Sequence, residues 1–467
     1  MASTLSVRNI ILLGMTNFAL YVGAGNIIFP PILGLHSGTN VLPAAIGFLI
    51  TGVGLPVIAA VAMARLGGSM EELCKPIGAR AGFIATAICF LCIGPLFAIP
   101  RTATVAYELA IKPFIATDVD ILPGYSVFYF IIALIFAMYP AKILDTVGKF
   151  LSPIKITALI ILCCTAIFVM PSEPTPPTEE FVNGAFGIGI VNGYLTLDTL
   201  ASLAFCIIIV SAIKAHGVTA PRSVTKYAIM SGCMAGGGFI FIYLCLFRLG
   251  NTSIALTPNA TNGAEVLSAY VHYAFGSLGN IFLAVLIIVA CLVTAIGLIC
   301  ACSSYFGQIW PIKYRYYAII FAVVSCAIAN FGLTTLIKVS VPGLITVYPL
   351  FIVLVMTSFV RNFFHKQSFV IAPTCILALL FGFVDGFDAA GISILPESIT
   401  AVLPLYDSDL AWLIPCLALC IVLAIVDHFV NPKEKQPEPV AEHLETIDDN
   451  SGFTLKKDKD VVYDIKD

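Results

Sequence analysis

Runs of about twenty mostly apolar residues, each long enough to cross a bilayer as a helix, recur along this chain from its start almost to its end. Twelve such segments lie near 8–34, 41–64, 81–110, 124–141, 150–170, 184–213, 226–248, 276–302, 316–331, 334–359, 368–386 and 409–430. The runs are continuous and show no period-two alternation, which argues against a transmembrane barrel. Only 11% of the residues are charged and 59% are hydrophobic, whereas a soluble chain carries about 25% charged residues. A soluble enzyme, a secreted disulfide scaffold and a disordered hub are therefore excluded. Net charge −3 and the lack of a basic cluster argue against a nucleic-acid partner. The expected fold class is all-α, a polytopic integral membrane protein with twelve transmembrane helices.

Most of the 15 cysteines, Cys163, Cys206 and Cys300 among them, fall inside apolar runs, where a thiol behaves as a small hydrophobe. Cys89 and Cys92 form a CxxC without a second ligand pair nearby, so neither a metal nor a redox role is assigned to them. The single early Arg8 runs into an interrupted apolar segment with no small-residue cleavage site, which reads as a first span and not a signal peptide.

Lysine and arginine in the short loops set the orientation. With the N-terminus inside, 14 basic residues fall on the inner side, Lys142, Lys149 and Lys155 among them. Only Lys112, Arg248 and Lys338 fall outside, where acidic residues such as Asp118, Asp120, Glu179 and Asp385 collect instead. Both termini are therefore expected in the cytoplasm. Residues 1–430 read as the membrane-embedded body, and 431–467 as a charged, disordered cytoplasmic tail.

Two spans carry interruptions. The first reads NFALYVGAGNIIFPP, with Gly23 and Gly25 flanking Ala24, then Asn26, Pro30 and Pro31. Glycine and proline at these positions weaken or end a helix. A kinked helix with close packing at the glycines is the alternative. The sixth holds a polar island, Asn192, Gly193, Tyr194, Thr196 and Asp198, between apolar halves. An aspartate at mid-membrane costs about 2.5–3.5 kcal/mol, so Asp198 is expected to face a partner, an ion or a substrate; Arg101 of the third span is the structural alternative. Two breaks five spans apart suggest inverted repeats, about 8–170 and 184–359, with extra helices over 368–430. In such folds half-helix N-termini meet anionic groups and unwound carbonyls hold the coupling cation.

Several long motifs in order resemble the bacterial branched-chain amino acid:cation symporter family, whose members have the leucine-transporter fold. They are VGAGNIIFPPILGLHSG (22–38), GFLITGVGLPV (47–57), IGPLFAIPRTATVAYE (93–108), NGYLTLDTLASLAF (192–205), ACLVTAIGL (290–298), KVSVPGL (338–344) and LFGFVDG (380–386). The resemblance implies uptake of leucine, isoleucine and valine coupled to sodium or a proton, across the bacterial cytoplasmic (inner) membrane. It puts the substrate carboxylate at the amides of Gly23, Ala24 and Gly25, and the ammonium at carbonyls near Tyr21 and Gly193 with Thr196 or Asp198. Tyr194 and Phe97 would wall the branched side chain. No cofactor is implied; sodium, where it is the coupling ion, would meet the carbonyls of Ala19, Val22 and Ala290 and the Thr294 hydroxyl, and Asn26 could serve a second ion. Adjacent threonines are usual in the family's eighth span, whereas here Val293 precedes Thr294; the lost hydroxyl bears on ion identity and makes a proton on Asp198 more conceivable.

Arg101 and Glu108, two turns apart on one helix face, read as a gating or structural pair. No serine, histidine and aspartate assemble into a nucleophilic triad, so the chain is not expected to be an enzyme. An exchanger, or a carrier of other neutral amino acids on the same fold, is the alternative function.

Overall fold

The structure, a computed structural model, describes residues 5–115, 121–138, 152–400, 403 and 405–431. Every regular element among them is helical. The expectations for Asp118, Asp120, Lys142, Lys149 and the tail beyond Asn431 lie outside the described residues.

Over their described residues, all twelve apolar segments fall mainly on helix. The first is split into α1 (Val7–Tyr21) and α2 (Ala24–Ser37). The second is α3 (Val41–Leu49) and α4 (Leu55–Arg65), joined by a π-helical turn, Ile50–Gly54. After the short α5 (Met70–Cys74), the third is α6 (Ala79–Leu91) and α7 (Ala98–Ala110). Between these two halves lies a π turn, Cys92–Leu96, in which Gly94 leaves helical geometry ahead of Pro95. That segment was expected to be continuous; the missing amide of Pro95 and the flexibility of Gly94 explain the departure.

Next come α8 (Leu122–Ala137), α9 (Ser152–Phe168) and the split sixth span, α10 (Glu179–Tyr194) and α11 (Asp198–Ala215). The seventh is α12 (Pro221–Asn251). The eighth, α13 (Gly263–Ile309), is longer than its apolar run because a preceding arm joins it at a kink where Gly276 takes φ +63°. The remaining spans are α14 (Tyr314–Ala329), α15 (Leu333–Val360), α16 (Gln367–Ala389) and, beyond the single turn α17 (Glu397–Thr400), α18 (Leu413–Val430).

Among the described residues, eight helical runs, some of them spanning a break, are long and apolar enough to cross a membrane; three shorter apolar helices cover the fourth, fifth and ninth segments. Large apolar side chains such as Phe168, Leu278 and Phe429 point outward, exposed. Outward apolar surface of this kind suits lipid, and the chain is a multi-pass membrane protein.

Two groups of helices organise the interior. The first, second, sixth and seventh spans pack on one another, through α1 and α2 on α12, α3 on α10, and α4 on α11 and α12. The third, fourth, eighth and ninth do the same, through α7 on α13 and α8 on α13 and α14. Small residues allow the closest approach: a Cβ on Gly189 of α10 would lie 2.2 Å from the Ala44 carbonyl of α3. Backbone-to-backbone contact of this kind is how helices associate tightly in lipid.

Candidate functional site

Both interruptions occur at the core of the bundle and face each other. In the first span α1 ends at Tyr21, and α2 restarts from an extended Gly23. Asn26 closes this break by accepting the Gly23 amide at 2.7 Å. The Ala24 and Gly25 amides open the next helix and, by position, have no acceptor within it. In the sixth span the break falls at 195–197, with Leu197 at φ +72°. For a branched side chain this left-handed geometry is uncommon and strained. Gly25 is where the two breaks touch: a Cβ there would lie 3.0 Å from the Thr196 carbonyl oxygen.

Asp198, the first residue of α11, is buried beside this contact. Asn26 Nδ2, the Thr196 hydroxyl (3.0 Å) and the Tyr243 hydroxyl (3.0 Å) all donate to its Oδ2. Oδ1 accepts from no group among the described residues. A carboxylate held this way at a helix N-terminus is favoured by both its donors and the helix dipole. The Arg101 alternative is not what forms. Arg101, 1% exposed, donates instead to the Leu195 carbonyl at 2.8 Å and the Ser340 hydroxyl at 3.1 Å. Its guanidinium also lies over the Phe29 ring.

The Arg101–Glu108 pair does not form either. Two helical turns span about 10 Å, and Glu108 bonds Lys112 one turn further out at 2.8 Å. Arg101 therefore ties the third span to the sixth-span break and to the tenth span.

A cavity opens between the breaks. Tyr21, Gly23, Ala24, Gly25, Thr196 and Asp198 line it, as expected, together with Ile93, Ala98, Arg101, Phe205, Thr294 and Leu298. Phe97, Gly193 and Tyr194 do not. The sixth span stays helical as far as Tyr194, whose ring turns away to stack on Tyr348 at 4.8 Å. Gly193 packs against Thr51 and Phe48 of the second span, and Phe97 lies against Gly343 of the tenth. A second cavity, reaching from Tyr21 and Asp198 to Asn17, Val57 and Gly236, meets the first at those two shared residues.

The groups expected around sodium also converge, though Asn26 spends both ends of its amide on Gly23, Asp198 and Tyr243. The Val22 carbonyl lies 3.4 Å from the Thr294 hydroxyl, which also donates to the Ala290 carbonyl at 3.1 Å. The ammonium of Lys155 completes the cluster, donating to the carbonyls of Ala19 (3.3 Å) and Val22. Lys155 was counted among the inner-side basic residues of the short loops; it is buried, 3% exposed, one turn into α9. Asp385 is likewise buried in α16 instead of lying in an outer loop. Two unit charges 4 Å apart repel by about 4 kcal/mol at an effective dielectric of 20, and the carbonyls and hydroxyl supply no negative charge to offset it. A sodium ion does not fit beside Lys155.

Lys155, Tyr243, Ser340 and the Leu195 carbonyl are the site groups that the sequence reading missed. For Lys155 a signal existed: it directly precedes a long, mostly apolar run and follows Pro153 by two residues. For Tyr243, in the middle of an apolar helix, nothing in the sequence distinguished a donor from a packed ring.

Two interrupted helices that meet around a buried cavity, apolar over most of its wall with Arg101 and Asp198 at its polar end, are the arrangement of a membrane transporter of the broken-helix class. Solved transporters share the architecture. Mhp1, a nucleobase-cation-symport-1 family transporter, superposes in its closed form at TM-score 0.59 with 15% identity, over 90% of this chain and 93% of its own. Its inward-facing form gives 0.57 with 15% identity, over 92% and 93%. The family described as branched-chain amino acid transport protein matches residues 6–430. The branched-chain amino acid transport system 3 carrier protein of Pseudomonas aeruginosa is 50% identical over 92% of this chain and 98% of its own. The branched-chain amino acid permease BrnQ of Escherichia coli K12 is 48% identical over 91% and 97%. The chain belongs to the branched-chain amino acid transport protein family.

Proposed function

We propose that this protein imports leucine, isoleucine and valine across the bacterial cytoplasmic membrane by alternating access, coupled to inward flow of a cation, sodium or a proton. Twelve crossings with both ends in the cytoplasm complete this reading. The observation that carries it is the cavity where the two helix breaks meet, with open amides on one side and a carboxylate on the other. A zwitterionic substrate suits that polarity. Its carboxylate would bond the Ala24 and Gly25 amides at the positive end of α2, with the Arg101 guanidinium close by. Its ammonium would meet Asp198 and Thr196. The branched side chain would lie against Ile93, Ala98, Phe205 and Leu298. Each buried methylene contributes only about 0.8 kcal/mol, so such a wall separates leucine, isoleucine and valine weakly. Relatives named as branched-chain amino acid carriers and permeases support the substrate class.

Movement of the first, second, sixth and seventh spans against the third, fourth, eighth and ninth would open the cavity to each side in turn. The two packing groups described above supply the bodies for such rocking. Uptake of radiolabelled leucine into proteoliposomes, with inward sodium or proton gradients imposed separately, tests the reading. Accumulation driven by at least one gradient and competed by isoleucine and valine is expected. Uptake indifferent to both gradients contradicts the coupling.

A further inference from the structure

Lys155 is a buried cation for which leucine transport, as described so far, has no use. Its ammonium sits against the end of α1, on the Ala19 and Val22 carbonyls, and α9 packs on α1, α12 and α13. The Thr294 hydroxyl, bonded to Val22 and Ala290, closes the same cluster from the eighth span. The negative end of the α1 dipole points there as well. An ammonium and a sodium ion have the same need, one positive charge surrounded by oxygen acceptors. The acceptors at this point are neutral, so one monovalent cation saturates them.

We propose that the Lys155 ammonium is the resident cation of this site. It holds the first half-helix in place where a free sodium ion would otherwise be required, and leucine binding therefore does not depend on sodium. The proposal rests on the amino-acid symport reading and narrows it, because sodium at these carbonyls is then not the coupling ion. Lys155 acts as a positioning residue: it touches no part of the substrate cavity's lining except through the Val22 carbonyl next to Gly23. Arginine at the same position retains the charge and several donors, whereas alanine leaves the carbonyls unpaired.

The test uses the purified full chain in sodium chloride or in choline chloride of equal ionic strength. Equilibrium leucine binding and, without leucine, the unfolding temperature are measured in both salts. Linked ligands change each other's affinity by about 5- to 150-fold. The wild type is expected to bind leucine with less than about a fivefold difference between the salts, and to unfold at the same temperature in both. Lys155→Ala is expected to lose leucine affinity on the order of tenfold, the scale of a lost charge-assisted hydrogen bond, with Lys155→Arg recovering part of it. Sodium that tightens wild-type binding beyond about fivefold, or that raises the unfolding temperature without leucine, overturns the proposal. Wild-type affinity in Lys155→Ala overturns it too. Failure to bind leucine in either salt counts against the transport reading instead, and the effect of sodium on unfolding then decides the role of Lys155 by itself.

Discussion

Asp198 accepts three hydrogen bonds, all on one oxygen, and that asymmetry gives it a job. Asn26, Thr196 and Tyr243 fix Oδ2, so the side chain is oriented, and in the proposed function Oδ1 would meet the substrate ammonium. Asp198→Asn keeps the shape and removes the charge. A hydrogen bond to a charged group is worth about 1.5–3 kcal/mol. Leucine uptake, normalised to protein in the membrane, should therefore fall by about tenfold or more, while expression changes little. Uptake at the wild-type level with unchanged ion dependence would reduce Asp198 to packing. At this scale the sequence was informative wherever an expensive residue had to be explained: a carboxylate amid apolar residues announced the site. It was silent on partners, because Asn26, Tyr243, Arg101 and Ser340 come together from four different spans.

Among the elements, the interrupted helices were legible from glycine and proline chemistry, which acts locally. The GAGN break lies where Gly23 and Gly25 put it. The sixth-span break comes slightly later than the polar island suggested, since Gly193 and Tyr194 remain helical and the turn falls on Leu195–Leu197. That shift turned Tyr194 out of the cavity, and no local propensity predicts it, because the strained Leu197 is held by its surroundings. The π turns in the second and third spans were not anticipated; a bulge inserts one residue without changing the apolar pattern. The contact between the second and sixth spans yields a prediction at this scale. Gly189→Val forces a side chain into the space occupied by the Ala44 carbonyl. Overpacking of this sort costs about 1–3 kcal/mol, so thermal unfolding of the detergent-purified protein should begin at least ~2 °C lower. No change in unfolding would mean that the two helices separate freely.

For the molecule as a whole, scarce charge first served to reject water as solvent. Of the charged groups inside the bundle, Arg101, Lys155 and Asp198 all sit at the meeting of the two breaks, and none of them pairs with another charged side chain among the described residues. A zwitterionic amino acid brings both missing signs at once. The last described helix, α18, ends at Val430, where the family match also ends. A chain truncated after Asn431 should accordingly take up leucine within about twofold of the full-length rate, a difference worth less than 1 kcal/mol in any barrier. A larger loss would assign the tail a part in the cycle.

The most direct measurement of the central claim, that the cavity between the two breaks holds the branched-chain amino acid, is equilibrium leucine binding to purified wild-type, Gly23→Ala and Gly25→Ala proteins. A Cβ on Gly23 meets its neighbours no closer than 3.4 Å, whereas one on Gly25 presses on the Thr196 backbone at 3.0 Å. Wild type should bind leucine saturably, with isoleucine and valine competing. Gly23→Ala should stay close to it, and Gly25→Ala should lose affinity by about tenfold, the scale of an overpacked contact, while unfolding cooperatively. Undiminished binding in a folded Gly25→Ala protein would place the substrate elsewhere and contradict the account.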